Sequence, residues 1–476
     1  MSGPPRGGVG RDASGARSTG HARLARLVRL GLAAAALVAR PSFAAAQSLS
    51  LDPVTARGVA HAGAGFVADD AAAVWSQNPA GAARREADRA VVGVSSVDTD
   101  LQIRPDLGRA APVAVSRANA GVAPQLTLTG SWGETMLGLS VLSGQRLGRR
   151  FEVAPGDGGQ GARTSYPLHY AGLAGALRRE SLTVGAARRL GDTVAIGLSV
   201  GAARVQLKES RRLWAGLESF TSVGDPVDDL SISIDGVDGF VPSVSASAIY
   251  APTCAPLEVA AGLTAVGGAD LRGELRAEPT SADGPRLTGN PATASVALPG
   301  ALVLRSGVRW QAERWAAEVD AQLELTPRRA RDLAWSVRGL SLEHRSGAQA
   351  SLIGLPAQLS LRSSGAARGA VDVEVIRGWL WLVLGAGWSV TRMEEARVTP
   401  GFADLGGLTL AGGAEISAGG VTVTLGLSRA WSRSVVVDRS VRRLDNPFGE
   451  GDGVTGLGRY RAATDVVGIS VEIERR

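Results

Sequence analysis

The chain has 476 residues, of which 45% are hydrophobic and 63 are glycine, and its formal charge is +6. That charge is not spread over the molecule: residues 1–46 hold seven arginines and one aspartate, and the rest holds 44 basic and 44 acidic residues. A neutral body removes the argument for a basic nucleic-acid-binding face, and a lone cysteine, Cys254, leaves no internal disulfide and lies far from any leader that could anchor it to lipid.

Residues 1–46 read as an export signal. Arg23, Arg26 and Arg29 precede the apolar run from Leu30 to Ala39, and Pro41 with Ala44, Ala45 and Ala46 offers cleavage before Gln47. Ten apolar residues are too few to span a bilayer, which takes about 20. Residues 47–88 are too short and too glycine-rich for a domain and read as a plug, or hatch. Within them, Asp69 and Asp70 are placed to cap a helix over Ala71–Gln77, and Asn78-Pro79 ends it, because the residue before proline is pushed out of the helical region. Gly58, Gly63, Gly65 and Gly81 let the flanking backbone fold tightly, with Ala80 standing between Pro79 and Gly81 at the end of the hatch run.

From residue 89 to 476, short alternating segments recur with no long apolar window, which predicts an all-β chain. Leu126, Leu128 and Trp132 alternate with polar neighbours, and Thr135–Ser143 answers them across Gly133-Glu134. Leu182–Arg189 and Val194–Leu207 form another pair, and a switch of apolar parity near Ala203 predicts a bulge. Leu302, Leu304, Val308 and Trp310 alternate with Arg305 and Arg309, while Trp315, Val319 and Leu323 alternate with Glu318, Asp320 and Glu324. Pairing Trp310 with Trp315 sets Arg305 opposite Asp320 and Arg309 diagonal to Glu318. Val371, Val373 and Val375 oppose Asp372 and Glu374, and Val467 to Ile473 closes the series.

These segments make about fourteen strands of roughly ten residues, and their connections alternate long and short along the chain. Tight turns at one end and long loops at the other are the habit of an antiparallel transmembrane β-barrel, whereas a soluble sandwich has no reason to follow it. The charged faces then line a wet lumen, with Arg305, Arg309, Glu318 and Asp320 neutralising one another inside.

Little chemistry is visible. Gly197-Leu198-Ser199-Val200-Gly201 fits a nucleophile-elbow pattern, but an unbroken strand runs through it where a strand-to-helix turn is needed. His21, His61, His169 and His344 are scattered, so no metal cluster, cofactor site or catalytic set is expected. Asp445, Glu450 and Asp452 match no cation-ligand spacing. In the external segment RRLWAGLESF, Leu213, Trp214, Leu217 and Phe220 fall on one face of a short helix, which reads either as packing against a neighbouring loop or as a surface site for a greasy ligand.

The run RGVAHAGAGFVADDAAAVWSQNPAG, Arg57–Gly81, resembles the hatch of the outer-membrane long-chain fatty-acid and aromatic-hydrocarbon transporter family (FadL and TodX type). LPGALVLRSGVRW with WAAEVDAQLEL is similar to that family's Leu-Pro strand and its partner, and GLGRYRAATDVVGISVEI to its terminal strand. The resemblance implies a monomeric barrel among bacterial outer-membrane lipid that passively takes up hydrophobic small molecules. It implies capture at external loops, movement of the hatch, and sideways exit through an inward kink of the third strand. Gly138, the only glycine in Thr135–Ser143, is the candidate for that opening. A structural or surface-interaction barrel without transport and a hydrophilic porin are the rival readings.

Overall fold

In the computed structural model, the described residues are 54–68, 70–84, 87–105, 114–117, 121–143, 147–150, 168–221, 225–391, 393–449 and 453–475. The leader, Asp69, Glu450 and Asp452 lie outside them. Fourteen strands form the wall. The first seven are β1 (Asp88–Pro105), β2 (Gly121–Trp132), β3 (Thr135–Ser143), β4 (Ala174–Leu190), β5 (Val194–Trp214), β6 (Asp229–Tyr250) and β7 (Leu257–Val266). The second seven are β8 (Ala301–Gln311), β9 (Trp315–Leu325), β10 (Ser364–Ile376), β11 (Leu380–Ser389), β12 (Gly407–Ala418), β13 (Val421–Ser432) and β14 (Gly458–Arg475). Each pairs antiparallel with its neighbours in chain order. The ring closes where β14 returns to β1, in register from Asp88↔Arg475 to Pro105↔Gly458. Closure leaves the ring no open edge, as a sheet in lipid requires.

Over the lower part of the wall, apolar side chains point outward and are exposed, among them Val92, Leu128, Leu198, Leu384 and Ile469. Tryptophans rim this belt: Trp132, Trp310, Trp315 and Trp379 beside the short turns, Trp388 and Trp431 at the far ends of their strands. An apolar band between aromatic girdles is the exterior of a membrane barrel.

Above the belt the polarity inverts. On β5, Ile196, Leu198 and Val200 face outward, but from Val205 the apolar residues face inward while Arg204, Gln206 and Lys208 take the outside. The wall has left the membrane there, so water rather than lipid dictates the outer face. A bulge does occur at this level, between Ala203 and Val205, but β5 keeps unbroken register with β4, so the extra residue belongs to β6. The parity switch in the sequence therefore marks the edge of the bilayer.

Beyond that edge, β6 continues into an external sheet with Ala269–Pro279, Ala292–Leu298, Ala334–Glu343 and Gln349–Pro356. Its buried side chains join those of the upper barrel in one large apolar core, which includes Leu101, Ile103, Leu207, Leu271 and Trp335.

The β8–β9 register corrects one expectation. Trp310 pairs with Ala317, a two-residue shift, which sets Arg309 directly opposite Glu318 and Arg305 opposite Gln322. Both tryptophans sit in the girdle, on the outer face that the predicted pairing also gave them.

Candidate functional site

Residues 54–84 fill the lower lumen as the hatch. Helix α1 (Ala56–Ala60) is capped by Thr55, whose hydroxyl accepts the Gly58 amide at 2.9 Å and also bonds the Asp70 carboxylate. Helix α2 (Val74–Gln77) is shorter than predicted: Ala71–Ala73 form a turn in which Asp70 accepts the Ala72 amide at 3.2 Å, and the residue before α2, Ala73, offers no side-chain cap. Asp70 thus ties the turn to α1 and does not start the helix. Asn78-Pro79 does end α2, and Pro79–Arg84 continues as a 3-10 helix. The Asn78 side chain donates to the Phe66 carbonyl at 2.5 Å, and the Ala80 amide donates to Ser247 at 2.9 Å. Gly81 closes onto the Asn78 carbonyl at 2.9 Å.

The lumen carboxylates meet protein rather than water. Asp320 accepts the amides of Gly65 at 2.8 Å and Phe66 at 2.9 Å, and Glu318 accepts that of Val67 at 2.6 Å. Arg309 reaches Asp372 at 3.3 Å, and Arg305 faces the lumen two same-face positions above it. Beyond any mutual neutralisation of the four charges, these acids hold the hatch backbone. A second tie comes from α1, where Arg57 pairs with Glu415 at 2.8 Å and His61 Nε2 lies 2.7 Å from Asp372.

Between these ties the hatch packs on glycines. Gly413, Gly426 and Gly468 stand side by side in register on β12, β13 and β14, and any side chain there would overlap α1. Gly138 and Gly185 pair across β3 and β4 and form a notch for Trp75, whose Nε1 donates to Thr129 at 3.1 Å. This corrects the expectation for Gly138. β3 is paired with β2 from Thr135 to Leu142 and with β4 over its whole length, so the ladder is closed on both sides of Gly138. The glycine is present because the indole occupies the place of its side chain. Sequence reasoning named neither Trp75 nor the Arg57 and His61 ties; glycine recurring at lumen-facing strand positions was the available signal.

Above the hatch lies a cavity of about 280 Å³ inside the barrel. Val59, Thr55 and Asp70 contribute to its floor, Val97 and Val466 to its wall, and Leu359, Leu361, Met393, Phe402 and Leu405 to an apolar roof formed by two connections. Burial pushes the Asp70 carboxyl above its ordinary value of 3.8, against the opposing pull of the Thr55 hydroxyl and the nearby Arg57.

The external stripe is also corrected. β5 runs on to Trp214, pairing Leu213 with Leu230 and Trp214 with Asp229, so there is no helix and no common face. Leu213 joins the upper core, Trp214 is buried with Tyr170 and Leu444, Leu217 is half-buried and Phe220 is exposed beside His344. A strand places neighbours on opposite faces, and the helical spacing was coincidental. Among the described residues no cluster suited to a metal ion is found.

No protein-family model and no curated protein matches the sequence. Solved structures are similar in fold. A Pseudomonas aeruginosa FadL homologue superposes with a TM-score of 0.69 at 14% identity, covering 90% of this chain and 99% of that one. The monoaromatic hydrocarbon channel CymD gives 0.60 at 13% identity, covering 90% and 99%, and the Ralstonia pickettii toluene transporter TbuX gives 0.59 at 15%, covering 88% and 98%. Over nine-tenths of its length the chain therefore has the fold of FadL homologues and hydrocarbon channels.

Proposed function

We propose that this chain is a monomeric outer-membrane channel for the passive uptake of hydrophobic small molecules, long-chain fatty acids or aromatic hydrocarbons among them. The observation that carries the reading is the cavity between an apolar roof and a seated hatch. An apolar molecule gains roughly 0.8 kcal/mol per CH₂ withdrawn from water, and a wet pore offers it no such gain. A cavity lined by Leu359, Leu361, Phe402 and Leu405 does. The FadL homologue and the toluene and monoaromatic channels that share the fold support the same substrate class.

In this reading a molecule enters past the external connections, rests in the cavity, and leaves when the hatch shifts. The paired β3 argues against sideways exit at Gly138, so release depends on the ties at Glu318, Asp320, Asp372 and Glu415. A hydrophilic porin is disfavoured because the hatch occupies the lumen carboxylates that would line a wet pore. A structural barrel without transport keeps one observation in its favour, the number of hatch ties.

The deciding experiment compares uptake of labelled palmitate and toluene by cells with and without the protein, alongside sugar-driven swelling of liposomes that contain it. Uptake of either hydrophobic probe without swelling supports the channel. Swelling means a porin, and neither response means a structural barrel.

A further inference from the structure

We infer that the outer rim above β1 and β14 binds the phosphorylated head of an outer-leaflet glycolipid through Arg104, Arg459 and Arg461. Arg104 and Arg459 stand directly opposite each other across the β1–β14 ladder, and Arg461 lies opposite Gln102 on the same face. All three are exposed on the outside of the barrel. Like charges directly opposite on a sheet repel, and residues two apart on one face are separated by only about 7 Å.

Many other exposed cations have an acid beside them, although Arg178, Arg338 and Arg439 are also exposed without an ion pair among the described residues. Arg204 pairs with Glu180 at 3.7 Å, Lys208 with Asp235 at 2.5 Å, Arg272 with Asp270 at 2.5 Å and Arg276 with Glu274 at 3.1 Å. Arg429, lower on the same face, lies 3.6 Å from Asp465, and Arg433 pairs with Glu395. Among the described residues no carboxylate forms an ion pair with any of Arg104, Arg459 or Arg461. On this face Asp438 stands two residues beyond Val436, the partner of Arg459, and Asp98, Asp100 and Asp465 stand lower on the strands, toward the belt.

The position selects the anion. Beneath the three arginines the wall carries Ala463 beside Trp431 of the girdle, then the exposed Asp100, Asp98 and Asp465, and below them Val467 and Ile469 of the belt. Val436, which pairs with Arg459, is exposed beside them. A single amphiphile can thus lay acyl chains on the belt while its phosphates reach the guanidinium groups, whose planar forks suit phosphate oxygens. A free phosphate would use the arginines and leave the apolar part of the surface unused.

The test uses the full chain folded in a neutral detergent. Affinity is measured by thermal shift and native mass spectrometry for three probes: bisphosphorylated lipid A, the same lipid without phosphate, and inorganic phosphate. The wild type should bind bisphosphorylated lipid A at least tenfold more tightly than either other probe, and less tightly at high salt. The triple variant Arg104→Gln, Arg459→Gln, Arg461→Gln should lose at least tenfold of that affinity, and Arg459→Gln alone a few-fold. Arg272→Gln with Arg276→Gln should change nothing. Heat-modifiable migration confirms folding of each variant, and the single variant decides the matter if the triple one fails to fold. Equal lipid A binding by the variants, or equal protection by inorganic phosphate or dephosphorylated lipid, would overturn the proposal.

Discussion

The two halves of the barrel interior are filled by different means. The upper half is closed by apolar side chains of the wall, the external sheet and the connections, packed as in a soluble protein. The lower half is closed by the hatch, which contributes a smaller apolar cluster around Phe66, Val67 and Trp75 and is otherwise held by hydrogen bonds to lumen side chains and by contact with glycines. An apolar core resists rearrangement because every displaced side chain loses its packing. A polar seat exchanges one set of hydrogen bonds for another when water enters, at a net cost of about 0.5–1.5 kcal/mol per bond. The half that must move in a channel is the one held by exchangeable contacts.

The sharpest test of that contrast is Trp335→Ala. The side chain is fully buried in the upper core and donates to Glu209 at 3.1 Å. Its removal is expected to cost about 3–5 kcal/mol, as other large-to-small core changes do. Urea unfolding in detergent and protease cleavage of the external region should register the loss, while the lower barrel keeps its heat-modifiable migration.

A smaller effect of a different kind is expected from Glu318→Gln with Asp320→Asn. The amides of Gly65, Phe66 and Val67 would keep only amide-oxygen acceptors, with a loss of about 1 kcal/mol for each bond weakened. The barrel should assemble normally but pass small polar solutes, read as conductance in planar bilayers. An unchanged conductance would mean that the hatch is held mainly by packing.

Gly138→Val separates packing from exit. A side chain there overlaps the Trp75 indole, so the variant should unseat α2 and raise conductance by several-fold. Combining it with Trp75→Ala should recover part of the seal, because the cavity left by the indole receives the new side chain. If Gly138→Val instead stops hydrophobic uptake with no leak, β3 is an exit after all.

Much of this fold was legible because lipid imposes a pattern. Outward apolar alternation and long-short connections are set by the bilayer itself, so the strands from Ala90 to Ile473 stand out in the sequence. The hatch's break at Asn78-Pro79 was legible for a local steric reason. The contacts of the lumen were not. Which amide meets Asp320, or which indole fills the space at Gly138, depends on a strand far away in sequence, and no local rule encodes it. The stripe at Leu213–Phe220 misled because apolar residues on a strand above the membrane face inward, and near the end of β5 both faces are covered.

The smallest expected effect concerns Asp70, at the junction of α1, the hatch turn and the cavity floor. Burial raises its carboxyl above 3.8, so the seated hatch holds the protonated form more tightly than the free chain does. By linkage, the ionised carboxylate costs stability at neutral pH. That cost is relieved as pH falls through the raised value and is gone below the unfolded value near 3.9. The hatch should therefore seal more firmly as the medium is acidified from neutral toward pH 4, provided its other ties do not titrate in that window. Asp70→Asn isolates the contribution: its amide oxygen still accepts from the Ala72 amide, its NH₂ can donate to the Thr55 hydroxyl oxygen in place of the bond now accepted there, and it cannot ionise. Conductance of the wild type should fall over that range by a small factor, and that of Asp70→Asn should change less. Parallel pH profiles for the two proteins would show that the lower seal does not sense this carboxyl, and would leave Glu318, Asp320, Asp372 and Glu415 as the groups that set it.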